Sequence, residues 1–419
     1  MYFQRGKGLD SHYWPRHYSR APKNVKRATE DKTMKTKTII SMSALALALA
    51  FAAGAQAQDV KLPDSLTMTA YDTGSSGFNI AVAVGKALKD KHGTDLRVLP
   101  AGNDVARLAP AKSGRAQISA MGIGVYFAQE GALEFAAKAW GPQPLRLLLT
   151  TVDCNAIAVG VARDTGVKAI KDLKGKRIGM VVGSPALNQG ALATIAFAGL
   201  GKNDVKLVEF SSYGAMWKGI LNNEADAGIA STISPQAKEV ETSPRGLIYP
   251  PAPASDKAGW ERIRKVAPYY APHQTTCGAG GLSAQNPVEL PSYPYPIFTA
   301  YPDQPADLIY NITKAMIVSY DAYKGGAPGA AGLDLSRQNF SWALPYHEGA
   351  VRALREAGVW KAEHDAYNNA LIKRQETLAA AWGAFLKTNP ADDADAFRKG
   401  WMSARADALK KSGLDVIFE

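Results

Sequence analysis

Cysteine and histidine are scarce, at two and six among 419 residues. Two cysteines exclude a disulfide-rich scaffold and any cysteine-based zinc site. The histidines beyond residue 57 are His92, His273, His347 and His364. None stands at ligand spacing from another, so surface or capping roles are expected. Catalytic signatures are missing as well. There is no Gly-x-Ser-x-Gly elbow, no His-Glu-x-x-His and no Walker loop, and Gly122-Ile-Gly124 lacks the third glycine of a dinucleotide fingerprint. No enzyme activity, cofactor or metal is therefore expected. Charge of one sign is also sparse once the N-terminus is set aside. Residues 1–57 hold ten Lys/Arg and three Asp/Glu, so seven of the eleven net positive charges sit there. The four that remain on the rest of the chain give no reason to expect nucleic acid.

Long apolar runs are absent except for one. Met34 is a natural start, Lys35 and Lys37 form a positive region, and an apolar stretch runs from Ile39 to Ala53. Ala55-Gln56-Ala57 then places small residues where signal peptidase reads them. About 15 apolar residues fall short of the ~20 a membrane span needs. Residues 34–57 are read as a secretory signal cleaved near Ala57, and 1–33 as an upstream extension outside the fold. The mature protein is expected in the periplasm. In that oxidising setting Cys154 and Cys277 could pair; otherwise they are two unrelated buried thiols.

The full chain has 46% hydrophobic and 21% charged residues, a composition that folds. Strand-like runs at 66–70, 96–99, 117–121, 145–151, 156–161, 178–182, 205–210 and 225–229 alternate with helical patterns. The first helix carries Ile80, Val84 and Leu88 on one face, and Asn79 is a candidate cap for it. Pro110 is expected to kink or shorten the helix after Asn103 and Asp104. This alternation predicts parallel sheets with right-handed crossovers. Residues 244–305 hold 12 of the 24 prolines, so few regular elements and a domain-crossing course are expected there. From His347 onward the pattern is helical, with Tyr367, Leu371, Leu378, Trp382 and Phe385 as a core-facing stripe. No internal repeat is visible.

Two small-residue loops follow strands: Thr73-Gly-Ser-Ser-Gly77 and Gly183-Ser184. Each alone reads most simply as a helix cap. Together, at the strand ends of two α/β lobes, they predict a ligand cleft, because open α/β sheets bind at the carboxyl ends of their strands.

These features resemble the solute-binding subunit of the TAXI type of tripartite ATP-independent periplasmic (TRAP) transporters. The resemblance rests on Thr73-Gly-Ser-Ser-Gly-Phe-Asn79, on Ala101-Gly-Asn-Asp-Val-Ala-Arg-Leu108 with Ala116-Gln-Ile-Ser-Ala120, and on Ile170-Lys-Asp-Leu-Lys-Gly-Lys-Arg-Ile-Gly179. Ser211 to Asp226 and Pro345-Tyr-His-Glu-Gly-Ala-Val-Arg352 add to it. The order holds over about 66–358; a longer Pro-rich region and some 60 residues after Val359 depart from the family. The resemblance implies an α/β, two-lobed periplasmic binding protein of type II-like fold, with a hinge and a C-terminal helical extension. Lobe 1 would comprise 58–152 plus 275–345, lobe 2 with the Pro-rich crossing 153–274, and the terminal helices 346–419. It further implies capture of a small carboxylate, glutamate-like or a dicarboxylate, by a monomer that delivers it to a sodium-coupled TRAP permease. Thr73, Ser75, Ser76 and Gly77 would hold the carboxylate, with Asn103 an amide contact and Gly122 a point of close approach. Ser184, Asn188 and Tyr213 would close from lobe 2. A binding protein of an ABC importer, a periplasmic sensor and an exported enzyme remain as alternatives.

Overall fold

The computed structural model describes residues 59–418; the expected upstream extension and signal segment lie outside them. In chain order the elements are β1 (Ser65–Ala70), α1 (Ser76–His92), β2 (Asp95–Pro100), α2 (Asp104–Lys112), β3 (Ile118–Met121), α3 (Gly124–Glu130), β4 (Arg146–Thr150) and β5 (Ile157–Ala162). Next come β6 (Arg177–Val181), α4 (Pro185–Phe197), β7 (Lys206–Phe210), α5 (Tyr213–Leu221), β8 (Ala227–Ser231), α6 (Pro235–Thr242), β9 (Leu247–Ile248) and α7 (Lys257–Val266). The chain finishes with β10 (Ala271–Thr275), β11 (Val288–Ser292), β12 (Ile297–Ala300), α8 (Ala306–Val318), α9 (Tyr320–Tyr323), α10 (Glu348–Glu356), α11 (Ala362–Leu386) and α12 (Ala394–Lys411).

Two five-stranded sheets organise the lobes, in the orders β2-β1-β3-β12-β4 and β7-β6-β8-β5-β9. In each sheet three successive βα units lay parallel strands in the order second, first, third. An antiparallel strand follows: β12, from far along the chain, beside β3, and β5, which directly precedes β6, beside β8. One plan is thus used twice, although no repeat shows in the sequence. The inner strands β3, β5 and β8 are buried along their whole length, as strands covered by helices on both faces must be. The edge strands β2 and β7 leave most residues partly or fully exposed.

The chain crosses between sheets twice, once between β4 and β5 and again between β9 and β12. Cys154, in the first crossing, is bonded to Cys277, in the second, and Thr276 N–H donates to Cys154 O at 3.0 Å. The Pro-rich stretch is more regular than its composition suggests. It holds α7, packed on α4, and the β10–β11 hairpin before β12 enters the first sheet. Its prolines sit mainly between elements or in edge pairing, where a missing N–H costs nothing.

Local signals explain the helix starts. Ser75, not Asn79, caps α1 by accepting from Phe78 N–H at 3.3 Å, while Asn79 lies inside the helix with its amide on Gly74 O. Asn103 caps α2, which runs through Pro110 and ends two residues later. His347 caps α10 through Nδ1. The terminal α11–α12 hairpin docks on lobe 1 at the end of α3. There Glu130, with no exposed side chain, accepts Arg374 Nε and Nη2 at 2.7 Å each and also meets Arg405 Nη2. Trp401 Nε1 donates to Gly131 O, and Trp401, Phe385 and Phe397 close over Ala136.

Candidate functional site

The first-lobe loop leaves β1 at Ala70 and turns into α1. Ser75 and Ser76 are buried, while Thr73 stands exposed at the loop tip. The start of α1 is met from within the protein. Tyr295, between β11 and β12, places its hydroxyl on the Ser76 side chain and the Gly77 backbone. Gly77 is required there, since a Cβ would stand 2.5 Å from Tyr295 Oη. Gly122 plays the same part for Tyr71, whose Oη would lie 2.7 Å from an added Cβ. Both glycines therefore seat tyrosine hydroxyls.

The lobes touch through a buried node around Asp104, the first residue of α2. Its Oδ2 accepts Ser184 Oγ at 3.1 Å and Ala186 N–H at 2.9 Å, both at the start of α4 in lobe 2. Its Oδ1 accepts Tyr71 Oη at 3.2 Å and pairs with Arg107 Nη2; neither side chain of that pair has any exposure. Arg107 lies over the Tyr71 ring, 3.1 Å from its centre, a cation–π contact between two buried side chains. Burial opposes the Arg107 charge, but Tyr71, Asp104 and Tyr295 more than offset it and hold its pKa above the usual value. Asp72 supplies a second lobe-1 carboxylate: its Oδ2 accepts Gly214 N–H at 2.8 Å, in the first turn of α5. Backbone bonds from Val105 N–H to Gly183 O and from Tyr213 N–H to Gly102 O complete the seam.

Behind this seam lies a narrow cavity of about 20 Å³, room for little more than one water. Lobe 1 contributes Tyr71, Ser75 and Ser76; lobe 2 contributes Ile157, Leu187, Tyr213, Ala230 and Ser231; the returning segment adds Tyr293 and Tyr295. Burial raises the pKa of all four tyrosines, so each hydroxyl is neutral, and that of Tyr71 already donates to Asp104. The lining holds hydroxyls, rings and aliphatic surface and no charged side chain, and it would admit a solute only with the lobes apart.

Of the residues expected to bind, Ser75, Ser76 and Tyr213 line this cavity. Tyr213 shares its hydroxyl proton with Ser234 Oγ at 2.7 Å. Ser184 serves the Asp104 node. Asn103 is occupied as a helix cap, and the Asn188 amide bonds Val181 N–H at 2.8 Å and Val181 O at 2.9 Å, tying down the end of β6. The sequence reading did not single out Tyr293, Tyr295, Ser231, Asp104 or Arg107. The Tyr293-Pro-Tyr-Pro296 run was the one available signal for the two tyrosines. Among the described residues no group of three or more His, Cys, Asp or Glu could hold a metal ion, and no helix is long and apolar enough to cross a membrane.

A sequence profile described as the NMT1-like family matches residues 68–358. Similar solved structures include the alkanesulfonate-binding protein SsuA from Xanthomonas axonopodis pv. citri bound to MOPS. It is 14% identical over 71% of this chain and 92% of that one, with a TM-score of 0.39. An ancestral arginine-binding protein bound to arginine is 16% identical over 64% and 100%, with a TM-score of 0.40. PhnD1 from Prochlorococcus marinus in complex with methylphosphonate is 13% identical over 61% and 84%, with a TM-score of 0.38.

Proposed function

The chain belongs to the NMT1-like family, and on that premise we propose that it is an exported solute-binding protein that captures a small organic acid between its lobes and delivers it to a membrane permease. The observation that carries this reading is the cavity itself, walled by residues of both lobes and of the segment that returns between them. A solute held there must be reached by opening the lobes about the two crossings, as hinged clamps do. The TAXI resemblance points to a periplasmic location and to a sodium-coupled TRAP permease as the customer. It would make the acid glutamate-like or a dicarboxylate.

Thermal shift of the purified chain against a panel of small acids tests the reading. A ligand at 100 times its Kd adds about 2.7 kcal/mol to the folded state. One acid that raises the melting temperature, with the rise lost in the Ser75→Ala, Ser76→Ala double variant, supports capture at this cavity. A shift that survives the double variant, or a panel with no shift at all, refutes it.

A further inference from the structure

The seam between the lobes is completed by the protein itself. Five hydrogen bonds described above cross it, and four of their donors are backbone N–H groups in the first turns of α2, α4 and α5: Val105, Ala186, Tyr213 and Gly214. Such groups have no partner within their own helix. Here each is met from the opposite lobe: Val105 by Gly183 O, Tyr213 by Gly102 O, Ala186 by Asp104 Oδ2 and Gly214 by Asp72 Oδ2. The fifth donor is Ser184 Oγ, which also bonds Asp104 Oδ2. The two backbones fit closely. A Cβ on Gly102 would stand 2.5 Å from Ser212 Cβ, and one on Gly214 would stand 3.1 Å from Asp72 Oδ2. The space enclosed behind the seam holds little more than one water.

We propose that this seam is a latch: the chain closes on itself, and Asp104 and Asp72 hold the lobes shut in a form that excludes solute. The argument is one of completeness and space. Each first-turn donor on the seam is satisfied by protein, so closure needs no solute to supply partners. The enclosed space admits none. Asp104 is prepared for this role within lobe 1. Its Oδ1 is fixed by Tyr71 and Arg107, and Arg107 is itself held by the Tyr71 ring and Met121 Sδ. Only Oδ2 reaches lobe 2. Opening therefore breaks the bonds to Ser184 and Ala186 and leaves the Asp104–Arg107 pair together, so no charge loses its partner. Under the capture reading, a solute enters only the open fraction of molecules, and its apparent affinity falls in proportion to that fraction.

Hydrogen exchange resolved to single amides, on the purified chain with no solute added, tests the latch. The N–H groups of Val105, Ala186, Tyr213 and Gly214 are protected only while the lobes are shut. In the native chain they should exchange about a hundredfold more slowly than unprotected amides. Two variants release the seam by different means. Asp72→Ala with Ser184→Ala removes two of the five bonds and keeps the Asp104–Arg107 pair. Gly102→Ala keeps every bonding group and wedges a methyl against Ser212. In both, Val105, Ala186 and Tyr213, whose acceptors remain, should exchange about tenfold faster, while amides within β1 and β6 keep their native rates. Unprotected rates at the four amides of the native chain overturn the proposal without any variant. So do unchanged rates in variants whose β1 and β6 amides show them folded. No solute enters the measurement, so a failed capture test leaves its outcome untouched.

Discussion

Replacing Glu130 by Gln tests how the terminal helices are held. The carboxylate is fully buried and is the shared partner of two guanidiniums, one buried and one nearly so. Burial pushes the Glu130 carboxyl up, but its bonds to Arg374 and Arg405 more than reverse this and hold it below the usual carboxylate range. Removing one member of a buried ion pair costs about 3–5 kcal/mol, because the survivor keeps an uncompensated charge; here two survivors also repel each other. At roughly 2.1 cal/mol/K per residue of unfolding entropy, that loss lowers the melting temperature of a chain this size by about 4–7 °C. Calorimetry and urea unfolding of native and Glu130→Gln proteins measure it. The sign with pH is fixed by the lowered pKa. The contribution is complete above the ordinary value of 4.5 and is lost as pH falls through the folded-state pKa, so the two proteins should converge in acid. An apolar replacement of the whole triad, Glu130→Leu with Arg374→Met and Arg405→Met, should regain most of the loss. A cost below about 1 kcal/mol near neutrality would show that the two arginines do not depend on Glu130 and refute the reasoning.

Reduction of the Cys154–Cys277 bond, or Cys154→Ser with Cys277→Ser, should cost about 4–5 kcal/mol, since the bond closes a loop of 123 residues' separation. Melting curves with and without reductant check this, and unchanged curves count against it. Gly77→Ala puts a Cβ 2.5 Å from Tyr295 Oη, so the ring must swing away; solute affinity should drop at least tenfold in calorimetry while far-ultraviolet dichroism stays native. Chains ending before Lys361 should be digested rapidly by trypsin within lobe 1, because truncation uncovers Glu130, Gly131 O and Ala136 together. A truncated chain as resistant as the native one would contradict that.

The α/β class was legible because alternating apolar runs and capping residues are local signals. The strands around Leu66, Leu96, Ile157 and Ile229 follow from the runs that contain them. The start of α1 was misplaced by a few residues because Ser75 and Asn79 are both competent caps, and only the turn preceding them selects Ser75. The cavity was legible in part. Ser75, Ser76 and Tyr213 follow loops at strand ends, where topology directs ligands. Tyr293 and Tyr295 reach the same place from more than 200 residues downstream, a contact that no local pattern encodes. Asp104 and Arg107 stand three apart on one helix, a spacing that carries no signal of burial. Arg107 is covered by Tyr71 and Met121 of lobe 1 and Asp104 is met by the start of α4, so their role becomes visible only in the folded chain. The duplicated strand order was hidden for a related reason: the first sheet borrows its antiparallel strand from a distant part of the chain, whereas the second takes the strand just before its parallel set.

That borrowing sets an order of events for a chain that emerges from its N-terminus. The second sheet is built from strands between Ile157 and Ile248, a continuous stretch, and can assemble as soon as it appears. The first sheet cannot. β4 is joined to it through β12, so Arg146–Thr150 must wait until Ile297–Ala300 has been made and delivered. Glu130 waits longer still, for Arg374 and Arg405. The domain begun first is finished last, and its apolar strand edge stays open in the meantime. Protection of that edge during export, by a chaperone or by rapid release, is a requirement written into the strand order.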